Sequence, residues 1–168
     1  IEQGVSAIVI IPIDSGGLAE LGELAHKRGV RPIAYDRLIN DANVDAFVSV
    51  DTENIGVHMV DEVVKAAPAG NYVILGGLLI DANMPIIAQS IKTELEKHPD
   101  ISIVAEVYCE NWSSTTAFAE LSAILEDNQD IQAVLCGNDS LAVGAIRALS
   151  EYQLAGKVAV SGQDADLE

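Results

Sequence analysis

Short apolar runs recur along the chain, and the segments between them place apolar residues at three- and four-residue spacing. Nearly continuous apolar runs are typical of buried parallel strands, and the intervening spacing is typical of amphipathic helices. The predicted strands are residues 6–11, 31–35, 46–50, 72–77, 102–108, 131–137 and 157–162. The predicted helices are residues 15–28, 53–66, 85–97, 114–127 and 140–152.

The order of these elements predicts the fold class. Strand and helix alternate at intervals of roughly 25 to 40 residues, which is typical of right-handed βαβ crossovers. The chain is therefore predicted to be an α/β protein built from doubly wound parallel sheets.

A change in the spacing of strands and helices predicts the domain organisation. The long helix that follows strand 46–50 is set apart from the βα units, which indicates a lobe boundary near Asp51 and Thr52. We expect residues 1–51 to form part of an N-terminal lobe whose first strand is missing, and residues 52–168 to form most of a C-terminal lobe. Three strands are too few to bury both faces of a sheet, so we expect an incomplete chain with strands missing from both ends.

Composition and charge narrow the classes of partner. The chain has 168 residues, of which 49% are hydrophobic, enough for a globular core. Its net charge of −17 opposes binding to nucleic acid or to an anionic membrane surface. No apolar run approaches the length of a membrane span, so no direct membrane insertion is expected. Cys109 and Cys136 are interpreted as buried free thiols.

Polar side chains follow each predicted strand at its carboxyl end. In an open parallel sheet, ligands bind beyond these ends, where the loops and the helix N-termini converge. The polar residues at these positions are Asp14, Ser15, Asp36, Arg37, Asp51, Asp81, Asn83, Asn111, Trp112, Asn138, Asp139, Gln163 and Asp164.

Helix capping is an equally good interpretation of Asp14, Ser15, Asp51 and Asp139, because Asp, Asn and Ser are favoured at helix N-termini.

Arg37 and Trp112 are not explained by capping. A guanidinium and a carboxylate together can hydrogen-bond adjacent hydroxyl groups of a sugar, and an indole can cover the apolar face of a pyranose ring. The alternatives are a structural salt link between Asp36 and Arg37, and a Trp112 that only fills the core.

Four segments together resemble a known family. They are "AYDRLINDA", "NYVILGGLLIDAN", "GNDSLAVGAIRAL" and "LAGKVAVSGQDADLE". In this order and at these separations they resemble the xylose-binding branch of the type I periplasmic sugar-binding proteins. The wider superfamily includes ribose- and galactose-binding proteins and the effector domains of lac-repressor-type regulators. The resemblance extends over essentially the whole chain.

The resemblance implies a fold, a ligand and a set of contacts. It implies two α/β lobes joined by a hinge, with a neutral monosaccharide, xylose or a related pentose, bound between them. The implied ligand-binding residues are Asp36 and Arg37 in the first lobe and Asn83, Trp112, Asn138 and Asp164 in the second. The family pattern has Asp-Asn-Asn where this chain has Asp81–Ala82–Asn83, so any role of position 82 is lost and the choice of pentose is open.

The resemblance also implies partners and a location. Members of the family pass their sugar to an ABC transporter permease or to a membrane sensor kinase. The implied location is periplasmic or extracellular, with or without a lipid anchor. The resemblance implies neither a cofactor nor a nucleic-acid partner.

Three other classes of function fit the sequence less well. The segment "DANVDAFVSVDTE" has acidic or amide residues at alternate positions, as in a calcium-binding loop. It has Ala46 and Thr52, however, where such a loop has glycine and glutamate. No nucleophile elbow, P-loop or His-Glu-x-x-His motif is present in the sequence, which argues against an enzyme. The effector domain of a lac-repressor-type regulator stays open as an alternative, because it shares the fold and the hinge.

Overall fold

The computed structural model describes residues 1–167, in which it has seven strands, five α-helices and one 3-10 turn. The strands are β1 (Ala7–Ile10), β2 (Arg31–Tyr35), β3 (Ala46–Val48), β4 (Gly70–Gly76), β5 (Ile101–Tyr108), β6 (Ala133–Cys136) and β7 (Ala159–Ser161). The helices are α1 (Ala19–Lys27), α2 (Thr52–Ala66), α3 (Asn83–Leu95), α4 (Ser114–Asp127) and α5 (Asp139–Glu151). The 3-10 turn, Glu110–Trp112, precedes α4.

The predicted fold class is confirmed. Every predicted strand and helix is present, and every strand pair is parallel. The largest difference is at α1, which begins at Ala19 instead of residue 15. The side chain of Asp14 accepts hydrogen bonds from the backbone N–H groups of Gly16 and Gly17 at 2.8 and 3.2 Å, which holds these residues in a turn before the helix starts.

The chain divides into two compact units. The first contains Ile1–Thr52 together with Leu79–Pro85, and the second contains Glu53–Leu78 and the residues from Ile86 onward. The break after Thr52 lies next to the expected lobe boundary. The segment Leu79–Pro85, expected in the C-terminal lobe, lies in the first unit, because its polar groups bond to residues 15, 36 and 37.

The first unit has a small sheet with strand order β1-β2-β3. Helix α1 approaches the segment before β3 closely, since a Cβ added at Gly22 would overlap the backbone of Asn43. Apolar side chains of the outer strands stay exposed, with Val9 at 65%, Phe47 at 45% and Val48 at 50%. Three strands therefore do not bury both faces of this sheet, as the sequence predicts.

The second unit has a sheet with strand order β5-β4-β6-β7. The continuous apolar run of β4 occupies an inner position, where Val73 and Leu75 pack in one cluster with residues of α4 and α5. Because all strand pairs of this sheet are parallel, the carboxyl ends of its strands lie along one edge. The strands that end next to Cys109 and at Cys136 flank β4 on opposite sides, and both cysteines are free and buried.

Candidate functional site

Asp36 follows β2 directly and is held in place by its own backbone. Its φ of 64° lies in the left-handed region. Its N–H donates to the carbonyl of Val48 at 2.8 Å, and its carbonyl accepts from the Ser49 hydroxyl at 2.6 Å. The loop after β3 thus fixes the point from which the Asp36 side chain leaves the sheet.

The guanidinium of Arg37 pairs with an acid far away in sequence. Its Nε lies 2.5 Å from Oδ2 of Asp81 but 3.7 Å from Oδ2 of Asp36. The salt link considered from the sequence, between Arg37 and its neighbour Asp36, is therefore the weaker of two contacts. Nε is buried and makes no well-directed hydrogen bond, so the short contact is mainly Coulombic.

Asn83, the first residue of α3, joins the same cluster. Its side-chain Nδ2 donates to the carbonyl of Asp36 at 3.2 Å and lies 3.3 Å from Oδ1 of the same residue. Its backbone N–H donates to Oδ1 of Asp81 at 2.9 Å. Asp36, Arg37, Asp81 and Asn83 therefore form a closed ring of polar contacts, which we call the Arg37 ring.

Ser15 fixes the segment that contains two members of the Arg37 ring. Its side chain is 1% exposed, and its hydroxyl accepts a hydrogen bond from the backbone N–H of Ala82 at 3.1 Å. Its own N–H donates to the carbonyl of Ile80 at 3.3 Å. Ser15, considered from the sequence as a helix cap, thus ties the loop after β1 to residues 80–82.

The electrostatics of the Arg37 ring centre on Asp81, which is 2% exposed. Burial raises the pKa of Asp81 above its ordinary value, and the repulsion of Asp36 adds to this rise. The N–H of Asn83 and the guanidinium of Arg37 oppose it by stabilising the carboxylate. The charge of Asp81 therefore depends on these two partners.

In the second unit, Trp112 ends the 3-10 turn that follows β5. Asn111 and Trp112 both have left-handed backbone conformations, with φ of 62° and 51°. The half-buried indole packs against the core cluster and lies over Gly77, where an added Cβ would overlap the ring atoms. Trp112 thus packs against the core with only part of its surface, and Gly77 leaves the space that its ring occupies.

Asn138 and Asp139 begin α5 at the carboxyl end of β6. Asn138 is the N-cap, and its Oδ1 accepts a hydrogen bond from the N–H of Leu141 at 2.9 Å. Capping therefore applies to Asn138, whereas the sequence pattern left capping open as an interpretation of its neighbour Asp139. The Nδ2 group of Asn138 is then its natural donor toward a ligand.

Asp164 lies in the loop after β7 with a φ of 98°, which an L-residue rarely adopts. Asp139 holds this loop on both sides. Its N–H donates to the carbonyl of Gln163 at 2.9 Å, and its Oδ2 accepts from the N–H of Asp166 at 2.8 Å. Asp139 therefore supports Asp164, a role that the sequence pattern does not indicate.

All six predicted ligand-binding residues lie beyond the carboxyl ends of strands. Asp36, Arg37 and Asn83 meet in the Arg37 ring of the first unit. Trp112, Asn138 and Asp164 follow β5, β6 and β7 at one edge of the sheet of the second unit. Each set mixes hydrogen-bond donors and acceptors, which suits a ligand with several hydroxyl groups.

Within residues 1–167, no group of three or more His, Cys, Asp or Glu side chains is arranged to hold a metal ion. No helix in that range combines the length and the apolar character that a membrane crossing requires.

Comparison with protein families identifies the chain at the level of its domain. A family model described as "Periplasmic binding protein domain" matches residues 1–168. The chain belongs to this family. The resemblance drawn from its four sequence segments is therefore confirmed.

Individual relatives of this periplasmic binding protein domain agree with that assignment. The chain is 37% identical over 171 aligned residues to the D-xylose-binding periplasmic protein of Escherichia coli K12, an alignment that includes 99% of this chain and 52% of that protein. It is 36% identical to the protein of the same name from Haemophilus influenzae, again over 99% and 52% of the two chains. The chain thus spans about half the length of these relatives.

Solved structures of periplasmic binding proteins have the same fold. A periplasmic solute-binding protein of an ABC transporter from Actinobacillus succinogenes, with bound D-allose, matches with a TM-score of 0.91 and 30% identity over 98% of this chain and 60% of that one. The myo-inositol-binding protein of Caulobacter matches with a TM-score of 0.88 and 27% identity over 98% and 57% of the two chains.

Proposed function

We propose that the intact protein binds a neutral monosaccharide and performs no chemistry on it. The Arg37 ring is the observation that supports this proposal most strongly. It places a partly exposed carboxylate, a guanidinium and an amide side by side after β2 and at the start of α3. Adjacent sugar hydroxyls donate to a carboxylate and accept from a guanidinium or an amide, so each of these groups has a partner on one ring.

The second unit supplies the groups that a sugar ring needs on its other faces. Trp112 is half-buried, with its indole over Gly77, so it can cover an apolar ring face. The Nδ2 of Asn138 can donate and the carboxylate of Asp164 can accept. We propose that both sets bind one sugar, so that binding shifts the protein toward a hinge-closed form.

D-Xylose is the sugar that we propose first. Two relatives that match nearly the whole chain bear the name D-xylose-binding periplasmic protein. Others at lower identity are named for D-apiose and for D-ribose and D-allose, so a related pentose is the next candidate. The proposed partner is the permease of an ABC sugar importer or a membrane sensor kinase, and the proposed location is periplasmic or extracellular.

Calorimetric titration of the intact protein tests this proposal. The panel contains D-xylose, D-ribose, D-allose, D-apiose and myo-inositol. We expect saturable binding of a pentose, tightest for D-xylose, accompanied by a change in Trp112 fluorescence. Absence of binding across the panel would contradict the proposed function. The first ~60 residues of the full sequence distinguish a binding protein, with a secretion signal, from a repressor, with a basic helical DNA reader.

A further inference from the structure

The buried acid of the Arg37 ring has no direct role among the predicted ligand contacts. Asp81 is 2% exposed, whereas the side chains of Arg37 and Asp36 are 23% and 41% exposed. A side chain so enclosed is badly placed to accept hydrogen bonds from a diffusing sugar. Its two oxygens are instead used within the protein, one on each of two predicted ligand-binding residues.

We infer that Asp81 is a positioning residue that sets the orientation of the Arg37 guanidinium and of Asn83 for ligand binding. This inference rests on the proposed function. Oδ2 of Asp81 lies 2.5 Å from Nε of Arg37, and Oδ1 accepts from the N–H of Asn83 at 2.9 Å. One rigid carboxylate therefore fixes the relative position of two groups that come from different loops.

The placement of the charge explains why an acid is needed at this position. The contact between Arg37 and Asp81 is made at Nε. A guanidinium carries four further N–H donors on its two terminal nitrogens, enough to bind two adjacent hydroxyl groups. Without the carboxylate, the long Arg37 side chain would have several rotamers of similar energy, and binding would have to restrict them. The 3.7 Å contact with Asp36 is too long to replace this restraint.

The segment around Asp81 is itself held firmly. Ser15 accepts a hydrogen bond from the N–H of Ala82 and donates its own N–H to Ile80, so the backbone on both sides of Asp81 is fixed. The carboxylate is therefore a fixed reference point for Arg37. A loop without such anchors would let the acid follow the guanidinium instead of directing it.

The experiment measures sugar affinity of the intact protein in a double-mutant cycle between Asp81 and Arg37. The variants are Asp81→Asn, Arg37→Lys and the combination of both, titrated with the sugar of the panel that binds the wild type most tightly. Lysine keeps the positive charge but lacks Nε and the planar fork. Asp45→Asn is the control, because Asp45 is also an ion-paired carboxylate of the first unit, 2.9 Å from His26.

We expect Asp81→Asn to weaken binding by about tenfold or more in the wild-type background and to have little effect in the Arg37→Lys background. The control variant should bind like the wild type. An unchanged affinity in Asp81→Asn overturns the inference, and so does an equal loss in both backgrounds, which would mean that Asp81 does not act through Arg37.

Two further outcomes are distinguishable. If Asp81→Asn does not fold, Asp81→Glu is measured instead, because it keeps the charge but displaces the carboxylate. Weaker sugar binding by a folded Asp81→Glu supports the inference, and binding with wild-type affinity overturns it. If the wild-type protein binds no sugar of the panel, the proposed function is wrong and the inference falls with it. Binding by the wild type with an unaffected Asp81→Asn contradicts the inference alone.

Discussion

The indole of Trp112 lies directly over Gly77, so closely that a side chain at position 77 would overlap the ring. Both residues follow neighbouring strands of the same sheet, Gly77 after β4 and Trp112 after β5. The left-handed conformations of Asn111 and Trp112 turn the chain so that the ring reaches this position. The absence of a side chain at Gly77 is therefore part of what sets the height and tilt of the indole.

We predict that Gly77→Ala displaces Trp112 and weakens sugar binding by about tenfold, the worth of one aromatic stacking contact. The added methyl group also overpacks a buried site, at a cost of about 1–3 kcal/mol in the free energy of unfolding. Sugar titration monitored by Trp112 fluorescence checks the first effect, and urea denaturation checks the second.

Gly16→Ala is the matched control for this substitution. A Cβ at Gly16 meets only Oδ1 of Asp14, at an ordinary distance of 3.5 Å. This variant should keep both the affinity and the fluorescence change of the wild type. If Gly77→Ala binds sugar as tightly as the wild type, the indole does not stack on the ligand.

We predict that Arg37→Ala abolishes sugar binding and also destabilises the protein. From the sequence alone, the interpretation of Arg37 as a ligand contact predicts little loss of stability, whereas the alternative of a structural salt link with Asp36 predicts a large loss. The structure adds the buried partner Asp81, which would be left as an unpaired charge. Breaking a buried ion pair in this way lowers the free energy of unfolding by about 3 kcal/mol. The loss is smaller if Asp81 takes up a proton, because the unpaired charge then disappears.

Urea denaturation of the intact protein checks this expectation, and the double variant Arg37→Ala with Asp81→Asn is the control. Removal of the orphaned charge should restore part of the lost free energy of unfolding while sugar binding stays absent. A stability of Arg37→Ala equal to that of the wild type would mean that the ion pair contributes nothing to the folded state.

Some features of the fold and of the candidate site can be predicted from the sequence, and others cannot. The uninterrupted apolar run of β4 and the acid directly after β2 are local patterns, and both predictions agree with the structure. The partner of Arg37 could not be predicted in the same way, because Asp36 is adjacent in sequence whereas Asp81 is brought near only by folding. The close approach of Trp112 to Gly77 likewise depends on three-dimensional packing, which the adjacent glycines Gly76 and Gly77 do not indicate in the sequence.

The two cysteines should be unreactive in the folded protein. Burial raises the pKa of Cys109 to about 11, and it raises the pKa of Cys136 further still. At pH 8 only about one thousandth of the Cys109 side chains would be thiolate, the reactive form. We expect Ellman's reagent to label neither cysteine within minutes in buffer and both in concentrated urea. Rapid labelling without urea would mean that the strand ends at β5 and β6 open readily.

The contact between β5 and α3 predicts a pH-dependent contribution to stability. Oε1 of Glu106 accepts from the hydroxyl of Tyr108 at 2.5 Å and from Nζ of Lys92 at 3.0 Å. The hydrogen bond from Tyr108 lowers the pKa of Glu106 most, and Lys92 lowers it further, although burial acts in the opposite direction. The folded state therefore prefers the ionised carboxylate.

Because folding lowers the pKa of Glu106, its carboxylate stabilises the folded state at pH values above 4.5, the pKa of the group in the unfolded chain. This stabilisation is lost as the pH falls through the lower pKa of Glu106 in the folded state. We predict that Glu106→Gln lowers the free energy of unfolding by about 1 kcal/mol at pH 7 and that this difference shrinks toward zero at pH values below the folded pKa. Urea denaturation at a series of pH values measures it. Glu62→Gln, which removes an exposed partner of Lys65, is the control and should have a smaller effect, because exposed ion pairs are screened by water. A difference for Glu106→Gln that stays constant across this range would show that the carboxylate charge does not stabilise the contact between β5 and α3.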